Sequence, residues 1–148
     1  MNLKTAEKLA LDKLTKNFDG LSFSSRIINN DSLLEISINN IRITGHEDDI
    51  EISMSVTTGE IAYLCMAFDY LDKTPEAYDA LNNFNATNAM FKAYIHDNGY
   101  LVLESNMPIY SEEEFADQAT QFMLRGNHFK DNESLKRLTS LTYKTKSN

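Results

Sequence analysis

Asp97-Asn98-Gly99 separates two runs of alternating residues, 91–95 and 100–104, and that arrangement is a strong short-range signal for a β-hairpin. Two registers compete. A two-residue Asn98-Gly99 turn would set Ala93 opposite Glu104 and Phe91 opposite Asn106. A three-residue loop with Gly99 left-handed pairs Ile95 with Leu101, Ala93 with Leu103 and Lys92 with Glu104. The second register puts like with like, and the buried face selects the register. One face is then Phe91, Ala93, Ile95, Leu101 and Leu103. The other is Lys92, Tyr94, His96, Tyr100, Val102 and Glu104, which is amphipathic.

The residues before the hairpin predict a helix over 74–88. Thr74 suits the N-cap, Pro75 the first helical position, and Glu76 the positive end of the helix dipole. Ala77, Ala80, Leu81 and Phe84 share one face. Asn82, Asn83, Asn85 and Asn88 weaken the far end, and Asn88 is the expected stop.

Elsewhere the periodicity predicts a helix over 3–18, with Leu3, Ala6, Ala10, Leu11, Leu14 and Phe18 on one stripe and Gly20 as punctuation. Residues 23–28 read as a strand, turned by Asn29-Asn30-Asp31. Leu34, Ile36 and Ile38 alternate, while Ile41 and Ile43 alternate in the opposite phase, so Asn39-Asn40 calls for a tight turn or a bulge. Ile50, Ile52, Met54 and Val56 line one face of the next strand. Thr58-Gly59 turns into residues 61–68, apolar on both faces, which suits a central or doubly covered strand. Pro108 should end the sheet. Ser111 and Glu114 match a capping box over a helix at 111–125, and Tyr110 with Phe115 match the accompanying staple. Gly126-Asn127 should break or kink that helix, and Asp131 should cap a shorter one carrying Leu135, Leu138 and Leu141.

The net charge of −8 disfavours nucleic-acid backbones and anionic membranes as partners. The charge is uneven: residues 125–148 carry six basic side chains against two acidic ones. That end is read as a solvated helix and tail, with contact to an acidic surface as the sharper alternative. No apolar run approaches the roughly 18 residues of a membrane span. The first residues read as an amphipathic helix and not as a signal peptide. A single cysteine excludes an internal disulfide, and a cytoplasmic location is expected.

Four groups of residues are candidates for chemistry. Cys65 lies mid-strand between Leu64 and Met66, away from the electropositive setting that reactivity needs, so a buried structural role is expected. His46, Glu47, Asp48 and Asp49 supply cation ligands but follow neither an EF-hand nor an HExxH spacing, so they read as a solvated acidic loop. His96 and His128 are single histidines. Glu112, Glu113, Glu114 and Asp117 are accounted for by helix capping and dipole complementarity. With five glycines in the chain, few loops can approach a ligand closely by backbone.

Asn82-Asn83-Phe84-Asn85, residues 91–95, Asp97-Asn98-Gly99, and residues 100–104 running to Met107-Pro108 resemble the YbjN-type bacterial domains, within the type III secretion chaperone-like fold. The likeness covers about residues 1–125. It implies no catalytic residue and no cofactor. It also implies small, acidic, cytoplasmic homodimers that hold a partner's extended segment on sheet and helix surfaces.

The expected fold is therefore α+β: a twisted antiparallel sheet with N-terminal, middle and C-terminal helices. One domain should span 1–143, with a frayed tail at 144–148. The expected function is a non-enzymatic protein-binding or chaperone-like module. It has no metal and no cofactor, and it forms a homodimer and binds an unidentified protein partner, but not nucleic acid or membrane. Tyr94, Tyr100 and Val102 are its expected interaction surface. The alternative is a small-ligand or metal-responsive regulatory domain.

Overall fold

A computed structural model describes residues 1–41, 50–128 and 132–144, and their side chains except at 39–41, 50 and 126–128. The chain runs α1 (Leu3–Asn17), β1 (Ser24–Ile28), β2 (Leu33–Ile41), β3 (Ile50–Thr57), β4 (Ile61–Tyr70), α2 (Pro75–Thr87), β5 (Lys92–Ile95), β6 (Tyr100–Pro108), α3 (Glu112–His128) and α4 (Glu133–Ser140). It is an α+β fold built on a six-stranded antiparallel sheet ordered β1-β2-β3-β4-β6-β5.

Alternation decides which face of that sheet is sealed. Leu34, Ile36 and Ile38 on β2, Ile52, Met54 and Val56 on β3, and Ala62, Leu64, Met66 and Phe68 on β4 all point inward. They join one apolar cluster with the buried stripes of all four helices, including Leu14 of α1, Phe84 of α2, Phe122 of α3 and Leu138 of α4. Among the described residues of these strands, no side chain of opposite parity belongs to that cluster. The sheet therefore has a covered face and an open one, the usual antiparallel solution.

The hairpin adopts the three-residue loop. Lys92 pairs with Glu104, Ala93 with Leu103 and Ile95 with Leu101. His96 N–H donates to Tyr100 O at 2.8 Å, Gly99 N–H donates to His96 O at 2.8 Å, and Gly99 sits at φ +92°. The Asn39-Asn40 phase switch is a bulge: the β2–β3 register shifts between Ile38 and Ile41. In α2, Thr74 accepts from Ala77 N–H, and Ala77, Ala80, Leu81 and Phe84 are the buried residues.

Four expectations are corrected. The Tyr110–Phe115 staple is absent, because Tyr110 is 75% exposed. The strand ends at Pro108, as expected, and just beyond it Ile109 N–H donates to Glu60 O at 2.8 Å, so the inward position falls on Ile109 and Tyr110 turns out. Ser111 does accept from Glu114 N–H, but the Glu114 carboxylate reaches back to Tyr110 N–H and not to Ser111. Helix α3 continues through Gly126 and Asn127 to His128. Glycine in a helix costs only about 1 kcal/mol, which packing of the Phe115–Phe122 stripe outweighs. Asn132, and not Asp131, caps α4 through Leu135 N–H at 2.9 Å. Residues 61–68 do form a central strand, between β3 and β6, with Ile61 and Tyr63 exposed on its open side.

The segment after Gly126 packs on its own chain. Leu135 and Leu138 enter the core, Arg137 pairs with Asp79 of α2 at 2.7 Å, and Tyr143 exchanges two backbone hydrogen bonds with Tyr70, each 3.0 Å. The basic end thus meets an acidic residue of its own helix layer. Residues 145–148 lie outside the described residues.

One edge of the sheet is closed by a side chain. The Asn85 amide accepts from Ala93 N–H at 2.7 Å and donates to Ala93 O at 3.0 Å, standing in for a neighbouring strand. We expect Asn85→Ala to destabilise the fold by about 2 kcal/mol, because both backbone groups of Ala93 lose their partner in a part-buried setting. Asn83→Ala on the exposed side of α2 should cost little. Urea unfolding reads both, and equal midpoints would refute the role of Asn85. Gly99→Ala should cost roughly 1 kcal/mol in the same assay, since a side chain disfavours the left-handed conformation.

Candidate functional site: the open face of the sheet

The register lays out the open face in rows. At one end, Ile28 pairs with Leu33 and Ile61 with Pro108, and the next row carries Glu35, Ser55, Tyr63 and Asn106. Ile61 is 42% exposed and Tyr63 36%, while Ile28 and Leu33 are half-buried. Arg26 and Glu35 neutralise each other beside them at 2.8 Å. This end is apolar.

The middle row is Ser37, Ser53, Cys65, Glu104 and Lys92. Cys65 is half-buried on the open face and not in the core, because Leu64 and Met66 take the inward positions of β4. Burial pushes its thiol up to about 11 from an ordinary 9.0, and the charges of Glu104 and Glu51 add to the rise. Tyr94 donates to Glu104 at 2.6 Å. Burial and that hydrogen bond push the Tyr94 phenol up as well.

The other end is a depression of about 410 Å³. Its floor is the Ala67–Val102 pair, where a methyl side chain leaves room between Glu51 and Tyr100. Asp69, His96 and Asn98 complete the rim. The β4 register shifts between Ala67 and Tyr70, and past that bulge Tyr70 stacks on Tyr100 with ring centres 4.3 Å apart. Tyr100 donates to the Tyr70 hydroxyl at 3.1 Å, which raises its phenol. Tyr143 also stacks on Tyr70, with ring centres 5.8 Å apart.

Tyr94, Tyr100 and Val102 do share this face, but unequally. Tyr94 is 36% exposed, Tyr100 is half-buried in its stack, and Val102 is only 5% exposed between Ala67 and Tyr94. Val102 already lies covered within the chain, so Tyr94 is the member open to a partner. His96 joins the depression, and its Nδ1 accepts from Asn98 N–H at 3.3 Å. His46, Glu47, Asp48 and Asp49 lie outside the described residues, as does the side chain of His128. Glu112 accepts from Asn2 N–H, which holds its carboxyl below the usual range, and Asp117 pairs with Lys13. Those carboxylates join α3 to α1.

Glu51, Asp69, Ile61 and Tyr63 were not singled out as site residues by sequence reasoning. Glu51 reads as an ordinary wet-face residue, and the bulge beside Asp69 leaves no local signature. Among the described residues, no group of three or more His, Cys, Asp or Glu side chains is placed to hold a metal ion. No described helix is long and apolar enough to cross a membrane. No protein-family model matches the chain, and no curated protein matches it.

The thiol environment makes a direct prediction. With its pKa near 11, Cys65 is ionised to about one part in a thousand at pH 8. Iodoacetamide should therefore label the native protein about a hundredfold more slowly than the urea-unfolded chain, from ionisation alone. Native labelling should rise steadily as pH is raised towards 11. Rapid native labelling at pH 8 would contradict the assigned environment. The same shift has a sign for stability: the folded state holds its proton more tightly, so this contribution is complete below pH 9 and is lost as pH rises towards 11.

Proposed function

We propose that the chain is a non-enzymatic protein-binding module of chaperone-like type, and that the end of its open sheet face carrying the exposed Ile61 and Tyr63 receives another polypeptide. One observation carries this reading: the buried stripes of the helices join the core on one face of the sheet, leaving Ile61 and Tyr63 exposed on the other, where Leu33 and Ile28 lie half-buried two and three strands away. Exposed apolar surface of this kind, rimmed by polar residues, marks interaction sites. The resemblance to YbjN-type and secretion chaperone-like domains, carried by residues 82–85 and 91–108, fits the same reading and brings with it a cytoplasmic homodimer. A second copy of the chain is the first polypeptide expected on this surface, because pairing one patch with itself is the commonest solution for soluble oligomers.

Light scattering should then return twice the chain mass of 16.9 kDa at micromolar concentration. Raised salt should leave that mass unchanged, since apolar burial is not screened. Ile61→Lys with Tyr63→Lys should yield a folded monomer, as both side chains are already in solvent in the isolated chain. Val102→Asp is the wrong probe, because it buries a charge within the chain itself. A wild-type monomer at high concentration would remove the homodimer. A dimer indifferent to the double substitution would remove the apolar end as its contact.

A further inference from the structure

The hairpin loop carries a chemically reactive pair. Asn98-Gly99 is the single Asn-Gly step of the chain, and Asn98 is exposed to water. Such a step can close on itself. The Gly99 backbone nitrogen attacks the Asn98 side-chain carbonyl carbon, and glycine has no side chain to hinder the approach.

In the folded loop both reacting groups are engaged elsewhere. Gly99 N–H donates to His96 O at 2.8 Å, so the nucleophilic nitrogen keeps its proton and faces back across the loop. The Asn98 carboxamide oxygen accepts from Tyr100 N–H at 3.1 Å, which holds the electrophilic carbon against the start of β6. Asn98 N–H donates to His96 Nδ1 at 3.3 Å. Tyr100 is itself fixed, by its stack on Tyr70 and by His96 N–H donating to its carbonyl at 2.8 Å.

We propose that Asn98 is a modification site gated by the hairpin: the closed loop preserves the asparagine, and opening of the loop lets it convert to isoaspartate, after which the same loop no longer closes. The step needs only water. The Gly99 nitrogen bonds to Asn98 Cγ and gives up its proton, the Cγ–Nδ2 bond breaks, and ammonia leaves carrying that proton. Water then opens the five-membered imide. Opening at the side-chain carbonyl gives aspartate, and opening at the main-chain carbonyl gives isoaspartate. Nothing is oxidised or reduced.

The two products differ in what they do to the loop. Aspartate keeps an oxygen where Asn98 accepts from Tyr100 N–H. Isoaspartate routes the main chain through Cβ and Cγ, which adds a methylene to a loop whose register pairs Ile95 with Leu101 across three residues. Either product sets a new carboxylate on the rim of the depression. This site goes beyond the protein-binding reading and uses other residues, so each survives failure of the other.

The test incubates the full-length protein at pH 8 and follows Asn98 by peptide mapping, with fragmentation that separates aspartate from isoaspartate. The folded protein should convert at least about tenfold more slowly than the urea-unfolded chain, since two hydrogen bonds must open first. Urea below the unfolding midpoint should speed the folded protein. Asn85→Ala, which frees the outer side of β5, should speed it about fivefold, and Asn83→Ala should not. The isolated isoaspartate form should exchange its Gly99 amide proton about tenfold faster than the Asn98→Asp variant, which keeps the loop. Equal conversion in folded and unfolded chains would overturn the gate, as would indifference to both low urea and Asn85→Ala. An isoaspartate form as well protected at Gly99 as Asn98→Asp would overturn the claim that the loop no longer closes.

Discussion

Sealing one face of a six-stranded sheet is the constraint on which the rest of this molecule depends. The inward rows of β2, β3, β4 and β6 are almost wholly aliphatic, and they meet the buried stripes of four helices in one continuous cluster. A side chain that joins that cluster is fixed by parity, because successive residues of a strand point to opposite faces. Ile109 and Tyr110 illustrate the rule beyond the strand's nominal end: one is wholly buried and its neighbour is the most exposed large hydrophobic among the described residues. Cys65 follows it too, held outward by Leu64 and Met66.

The consequence for function lies on the face that the helices leave. Its two ends are about six residues of β4 apart, from Ile61 to Ala67, which at strand rise is roughly 20 Å. That separation lets an apolar patch and an acidic depression coexist without sharing a side chain. The row of serines with Cys65 and Glu104 divides them. The sheet's edges are equally unlike. Asn85 satisfies Ala93 on the outer side of β5, whereas among the described residues no side chain does the same for β1.

The C-terminal segment ties these parts together. Tyr143 adds a short bridge to Tyr70 at the end of β4, donates to Asp72, and stacks on the ring that supports Tyr100. Helix α4 packs its two buried leucines against the layer that contains α2, with Arg137 reaching Asp79. The aromatic wall of the depression therefore depends on residues more than forty positions downstream of it. A chain lacking them would keep the hairpin but lose the third ring of the stack.

What the sequence alone determined was local. The hairpin register followed from Asp97-Asn98-Gly99 and from matching Ala93 to Leu103; Thr74, Pro75 and Ser111 marked helix starts; and the stripe of Ala77, Ala80, Leu81 and Phe84 named its own buried face. Each of these rests on interactions within a few residues, or on a two-fold or 3.6-fold repeat that can be counted. The failures were local signals overridden at a distance: Gly126 inside a helix, Tyr110 denied its staple by strand parity, and Val102 covered within its own sheet. Only the tertiary structure placed β6 between β4 and β5, turned Asn85 into an edge strand's partner, and brought Glu51, Asp69 and Tyr100 around Ala67. Parity identifies which residues share a face. What covers that face, and which distant strand lies alongside, depends on pairings between segments far apart in the chain, and no repeat in the sequence records them.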